Sequence, residues 1–192
     1  MKDLIRTPRL DLVLMTPAFM RAMTAGRWEA AGAEAGAPVP DTWREVEWRW
    51  LKVRLGQLAA DPSAGPWLTR LMMFREPARA IVGNAGFHGP PGPEGWAEIG
   101  YQVVPEHRRQ GYARETAEGL LSWAQREHGI TRFRASIGPW NKPSLRLVES
   151  LGFVKVGRQW DREDGEELVF ELSLGRTTRS ALGRSALTGP SC

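Results

Sequence analysis

The chain has 192 residues, 42% of them hydrophobic and 25% charged, which is the size and usage of one ordinary globular domain with its own core. Apolar runs stop after a few residues, as in Leu71-Met72-Met73-Phe74, and the opening Met1–Arg6 lacks the apolar stretch of a secretory leader, so no membrane is implied and a cytoplasmic protein is expected. The formal charge of +4 sits mostly in residues 176–192, whose three arginines, once set aside, leave 23 basic against 22 acidic side chains; this Ser-, Thr-, Gly- and Ala-rich tail reads as disordered.

Arg9-Leu10-Asp11-Leu12-Val13-Leu14 alternates as a strand does. Thr16-Pro17 supplies a cap and a first-turn proline for a helix to about Ala25. Residues 25–40 hold nine Ala or Gly in sixteen and end in Pro38-Val39-Pro40, a composition that reads as a mobile loop. Asp41-Thr42 with Glu45 predicts a second helix to about Ala60, which ends at the break Asp61–Pro66. Strands are expected at Trp67–Phe74, Arg79–Phe87 and Trp96–Val104. A helix follows Pro105, with Ala113, Ala117, Leu120, Leu121 and Ala124 on one face, and His128-Gly129 closes it. Arg132–Gly138 reads as a strand, Asn141–Ser150 as a short helix, and Phe153–Arg158 and Glu167–Leu174 as final strands about the turn Asp161–Gly165. Helices on a largely antiparallel sheet with one strand–helix–strand unit define an α/β (α+β) domain over residues 1–175.

Chemistry concentrates where the third of those strands runs through Val103-Val104-Pro105 into Arg108-Arg109-Gln110-Gly111-Tyr112-Ala113-Arg114. A helix start offers unpaired N–H groups and partial positive charge, which suits a phosphate, and Gly111 and Ala113 let an anion approach the backbone. An ordinary turn with surface arginines fits the same residues. The chain contains neither Gly-x-x-x-x-Gly-Lys-Ser/Thr nor Gly-x-Gly-x-x-Gly, so nucleotide kinases and nicotinamide dehydrogenases lose ground. The lone cysteine, Cys192, and the scattered His88, His107 and His128 offer no metal-ligand spacing, and no metal is expected.

Arg108-Arg109-Gln110-Gly111-Tyr112-Ala113 resembles the Gln/Arg-x-x-Gly-x-Gly/Ala acetyl-CoA signature of the GNAT N-acetyltransferases. Thr7-Pro8-Arg9-Leu10-Asp11-Leu12, Glu98-Ile99-Gly100-Tyr101 and Asn141-Lys142-Pro143-Ser144 followed by Leu151-Gly152-Phe153 resemble its ribosomal-protein N-acetyltransferase-like branch, in the same order. The resemblance covers about residues 7–174. It implies a mixed, mostly antiparallel sheet that splays, with acetyl-CoA in the split as co-substrate. The pyrophosphate would lie on Arg108, Arg109, Gln110, Gly111, Tyr112, Ala113 and Arg114, and the pantetheine arm along Val103 and Val104. It also implies direct transfer to an amine acceptor, with an N–H near Val103 stabilising the oxyanion.

By the same resemblance, Asn141 contacts the cofactor's arm and Ser144 lies near its sulfur, although both also suit the start of a helix as caps. Glu98 is the candidate base, and a solvated strand residue is the alternative. The family's usual acid, a tyrosine seven residues after the asparagine, is Val148 here, which leaves Ser144, Tyr101 or water. Of the nine tryptophans, Trp28, Trp43, Trp48 and Trp50 cluster near the first helices. Trp43 and Trp50 share a helical face and Trp48 points away, which predicts an exposed Trp48 and an acceptor-cleft wall, with a homodimer contact as a second use of that surface. An acyl-CoA-binding module without catalysis is one rival. An RNA-associated protein using the arginines and the tail is the other, and nucleic acid is the weaker partner because the body is nearly neutral. The acceptor amine, whether of a protein N-terminus or a small molecule, has no code in the sequence.

Overall fold

The alternating leucines near the start form the second strand of the sheet, with Leu10 and Leu12 fully buried. The computed structural model describes residues 4–75, 77–162 and 165–175. The strands are β1 (Ile5–Arg6), β2 (Leu10–Leu14), β3 (Arg70–Phe74), β4 (Ile81–Phe87), β5 (Trp96–Val103), β6 (Arg132–Ile137), β7 (Val154–Asp161) and β8 (Gly165–Ser173). Between them lie α1 (Pro17–Thr24), α2 (Trp28–Ala35), α3 (Arg49–Ala60), α4 (Tyr112–His128) and α5 (Lys142–Ser150). All eight strands form one sheet in the order β1-β2-β3-β4-β5-β6-β8-β7. Every pairing is antiparallel except β5 with β6, which the α4 crossover makes parallel.

The sheet splays as the resemblance implies. Strands β5 and β6 pair only from Trp96↔Arg132 to Glu98↔Arg134. Beyond Glu98, β5 stays on β4 as far as Gly83↔Val103, while β6 stays on β8 as far as Ile137↔Leu168. Two cores follow, one on each face. Ala97, Ile99, Leu120, Phe133 and Val148 belong to the core under α4 and α5, and Phe19, Ala31, Trp43, Leu51 and Leu71 to the core under α1–α3. Gly119 lets α4 sit close on β1, since a Cβ there would stand 2.7 Å from Thr7 Cγ2. Among the described residues no helix is long and apolar enough to cross a membrane.

Three expectations are corrected on the α1–α3 side. Residues 28–35 are a helix rather than a mobile loop, because alanine is the strongest helix former and Ala31 and Ala35 bury against α1. Gly36, at φ 68°, ends it. The helix expected from Asp41 is instead a single tight turn, Asp41–Trp43, and α3 begins only at Arg49. That break moves Trp48 from an expected exposed position to a buried one, 4% accessible, where its indole N–H donates to Trp43 O at 2.9 Å. Trp67 also lies before β3, in the turn Pro62–Trp67, and packs against Phe87 and Trp123. The tail, Cys192 and Glu76 lie outside the described residues, as does the tip of the turn between β7 and β8.

Candidate active site

The split puts an open strand edge at the centre of the molecule. His88 N–H donates to Glu98 O and Val104 N–H to Val82 O, both at 2.9 Å. The alternation of an antiparallel ladder therefore turns the N–H and C=O groups of Tyr101 and Val103 toward the gap. Val103 O accepts Arg108 Nε at 3.1 Å, in keeping with that direction. Val104 is the opposite case, with its N–H committed to β4 and its side chain buried in the α1–α3 core. Of the two residues expected along the pantetheine arm, Val103 is the one that faces the gap.

The turn after β5 presents backbone to the same gap. Pro105–His107 makes a tight turn, Arg109 adopts φ 61° and Gly111 φ 84°. Gly111 caps α4 with no side chain, so the first N–H groups of this long helix have no side-chain partner. Gly111 is needed for two reasons: its φ is left-handed, and a Cβ there would stand 3.3 Å from Arg9 Nη2. Of the expected phosphate contacts, the side chains of Arg108, Arg109 and Gln110 are exposed around the turn. The Tyr112 ring is buried beneath Arg9, whose guanidinium carbon lies 4.3 Å from the ring centre, so Tyr112 brings only its backbone to the turn. Arg114 pairs with Glu118 one turn along α4 at 3.0 Å and ties α4 to α5 through the Ser150 hydroxyl at 2.5 Å.

A clamp from the start of the chain, not assigned a role from sequence, fixes this turn. Glu115 accepts from the Thr7 hydroxyl at 2.5 Å, from Arg9 N–H at 2.7 Å and from Arg9 Nε at 2.6 Å, while Arg9 Nη1 donates to Gln110 O at 3.0 Å. Burial raises the Glu115 pKa, but the Thr7 and Arg9 donors and the Arg9 charge outweigh it and hold the carboxyl below its ordinary value. Thr7 and Arg9 stand in the Thr7–Leu12 stretch that carries the family resemblance, but nothing in that stretch points to Glu115.

Around the gap, the candidate acid and base lie on opposite faces. Glu98 is the last β5 residue paired to β6, and its side chain lies on the α3 side, with Oε1 3.7 Å from His88 Nδ1. Arg54 of α3 donates to His88 O at 2.7 Å; burial lowers its pKa, and the Glu98 charge pulls the other way. Tyr101 lies on the α4–α5 side, where burial pushes its phenol up and an interaction with the Ser144 hydroxyl opposes that. The phenol oxygen is sealed from water without a well-aligned hydrogen bond. Asn141 Oδ1 accepts the Ser144 N–H at 3.3 Å, so the capping arrangement holds for both residues. Val148 is fully buried in the core. Of the four clustered tryptophans, Trp50 lines the cavity beside Glu98's face, whereas Trp43 and Trp48 are core.

A mixed sheet that splays beside a strand–turn–helix is the architecture of the acetyltransferase (GNAT) domain. The chain matches the acetyltransferase (GNAT) domain model over residues 5–154, and it belongs to that family. It is 34% identical over 93 residues to the uncharacterized N-acetyltransferase YoaA of Bacillus subtilis, a match covering 47% of this chain and 52% of YoaA. The matched region thus spans about half the length of that curated relative. A GNAT-family acetyltransferase structure from Bordetella pertussis superposes with a TM-score of 0.61 at 24% identity, over 88% of this chain and 99% of that one. The ribosomal L7/L12 α-N-protein acetyltransferase RimL, solved with coenzyme A, shares the fold with a TM-score of 0.59 at 14% identity, over 89% and 98% of the two chains.

Proposed function

We propose that this chain is an acetyl-CoA-dependent N-acetyltransferase that moves the acetyl group directly to a primary amine. The observation that carries the reading is the convergence, on one gap, of an open β5 edge, an α4 start without a side-chain cap, and Glu98 and Tyr101 on opposite faces. Family membership, and the coenzyme A held by a protein of the same fold, support it. The cradle suits the group: Gly111 leaves backbone N–H groups approachable, Arg108 and Arg109 add charge, and the Val103 edge can pair with an amide-bearing arm.

Acetyl-CoA supplies an activated acetyl thioester; the chain supplies position and protons. Glu98, on the α3 side, takes a proton from the incoming amine, directly or through one water. The N–H groups of Tyr101 and Val103 that face the gap donate to the carbonyl oxygen as charge builds on it. Ser144 provides the hydroxyl for the departing sulfur, in the place of the missing tyrosine at Val148, and the sealed Tyr101 phenol, whose proton is held by burial, backs Ser144. The buried Val148 favours a second reading, a CoA-binding module without turnover. The test is an amine panel with acetyl-CoA that reads thiol release, alongside calorimetry of CoA binding. Thiol release that depends on an amine supports transfer; binding without release supports the module. A cytoplasmic setting belongs to the same proposal.

A further inference from the structure

On the α3 face, next to the point where β5 and β6 part, lies a cavity of about 700 Å³. Gly86 and Gly100 form its floor, and a Cβ at Gly100 would stand 3.0 Å from His88 Nε2, so the floor stays low because no side chain rises there. Arg49, Arg54 and Arg162 line the walls, with Glu47 as the only carboxylate among the lining residues. Arg49 Nε holds Glu47 at 2.8 Å. That pair cancels, and Arg54 and Arg162 remain as positive charge on the walls, while Glu98 stands behind the lining, 3.7 Å from His88.

Arg54 is set in place before any ligand arrives. Its Nη1 donates to Gln57 Oε1 at 3.0 Å and His88 O at 2.7 Å, and its Nε is buried with no hydrogen-bond partner among the described residues. Because that Nε is closed to a ligand, the guanidinium offers its remaining nitrogen, Nη2, to a carboxylate, the anion a guanidinium pairs with best. Two arginines on the walls above a low floor, with Glu98 behind His88, match a zwitterion. A polyamine would instead place a further cation against Arg54 and Arg162.

We infer that the acceptor is a small amine carrying a carboxylate a few bonds from its nitrogen, the carboxylate held by Arg54 and Arg162 and the amine placed at Glu98. The inference rests on the N-acetyltransferase reading and names its substrate class. As the C–N bond forms, the C–S bond breaks; of the two protons the ammonium loses, one ends on the sulfur and the other passes through Glu98 to water. Arg54 and Arg162 take no proton and act only on binding.

The experiment compares matched acceptors in the thiol-release assay, with rates expressed per unprotonated amine. Alanine is set against alaninamide, a peptide with N-terminal aspartate against its asparagine counterpart, and spermidine stands as the polycation. The acid of at least one pair is expected to exceed its amide at least tenfold in kcat/KM; the first pair points to a free amino acid and the second to a peptide end. Arg54→Gln and Arg162→Gln should collapse that ratio toward one, mainly through KM. Arg162 is exposed, so its variant reports even if Arg54→Gln folds poorly. Release as fast with amides or spermidine as with acids overturns the inference and leaves the transferase reading standing. An absence of release with every amine, despite CoA binding, removes the transferase reading itself.

Discussion

The two faces of the sheet are built from different materials. On the α4–α5 side, the working parts are backbone: a strand edge left open by the split, two left-handed residues in a turn, and the first N–H groups of α4. On the α1–α3 side they are side chains: an aromatic set of Trp43, Trp48 and Trp50, and Arg54 braced on His88. Under the proposed function, backbone geometry is what would recognise the part that every acetyl-CoA has in common. Side chains on a packed helical layer recognise what distinguishes one amine from another. Substitutions on the first face should therefore alter cofactor affinity, and those on the second should alter turnover and acceptor choice.

The largest effect is expected where the two faces meet. A free alkylamine near pKa 10.4 is almost wholly protonated at pH 7, whereas a thiolate is a tolerable leaving group, so the base matters more than the acid. Glu98→Gln should lower kcat/KM by roughly 10²–10⁴-fold. Ser144→Ala and Tyr101→Phe should each cost less, because a thiolate departs without needing a strong acid. With an α-amine near pKa 8 the Glu98 effect shrinks. Steady-state rates against pH for the three variants decide this, and a larger loss for Ser144→Ala than for Glu98→Gln reverses the assignment.

Gly111→Trp tests the backbone face alone. At φ 84° any side chain is strained, and a large one would cover the α4 N–H groups. CoA affinity should fall by about a hundredfold or more, roughly 3 kcal/mol. Calorimetry on the folded variant is the measurement, and an unchanged affinity would take the cofactor away from this turn.

The same division explains what the sequence disclosed. The turn was legible because Gly111 and Ala113 are small residues at the start of an amphipathic helix, whereas the left-handed Arg109, at φ 61°, left no mark in its identity. Parallel pairing of β5 and β6 was legible because a long amphipathic helix separates them. On the other face, the Ala- and Gly-rich stretch before Pro38 read as a loop because its two features conflict, and burial of Ala31 and Ala35 against α1 decided for helix. Trp48 was assigned to the surface on helical spacing, and the break after Trp43 removed the helix on which that spacing depended. The Thr7–Arg9–Glu115 clamp links residues more than a hundred positions apart, and no local pattern encodes such a contact. The arginines of the cavity come from two segments far apart in the chain, α3 and the turn after β7, for the same reason.

Trp48→Phe probes the side-chain face. It removes the indole N–H bond to Trp43 O and reshapes ring contacts whose centroids lie 4.7 and 5.7 Å apart. The cost should be about 1–3 kcal/mol, which corresponds to a Tm lower by about 2–4 °C per kcal/mol for a domain of this size. Acceptor KM should rise, because Arg49 and Trp50 shift with their support, while CoA affinity holds. A loss of CoA affinity equal to the loss for acceptor would show that the two faces are not independent.

The smallest effect is expected at the clamp that joins the N-terminal strands to the turn. Glu115 titrates below its ordinary value in the folded chain because the Thr7 and Arg9 donors outweigh its burial. A carboxyl depressed in this way stabilises the fold above its unfolded pKa, near 4.3, and that contribution is lost as pH falls through the lower folded value. Arg9 is about half exposed, with 47% of its side chain accessible, so solvent screens its share and the whole contribution should be about 1 kcal/mol. Glu115→Gln should therefore lower Tm by about 2–4 °C at pH 7. The gap between wild type and variant should then narrow as pH falls below 4.3, since a protonated Glu115 is neutral in both states. CoA affinity should fall severalfold with the variant at pH 7, because Arg9 Nη1 also holds Gln110 O in the turn. Thermal melts of both proteins across pH 3–7, paired with calorimetry at pH 7, separate charge from shape. A Tm gap that stays constant with pH would mean that the clamp works through packing alone, and that the ionised carboxylate contributes nothing to holding the turn.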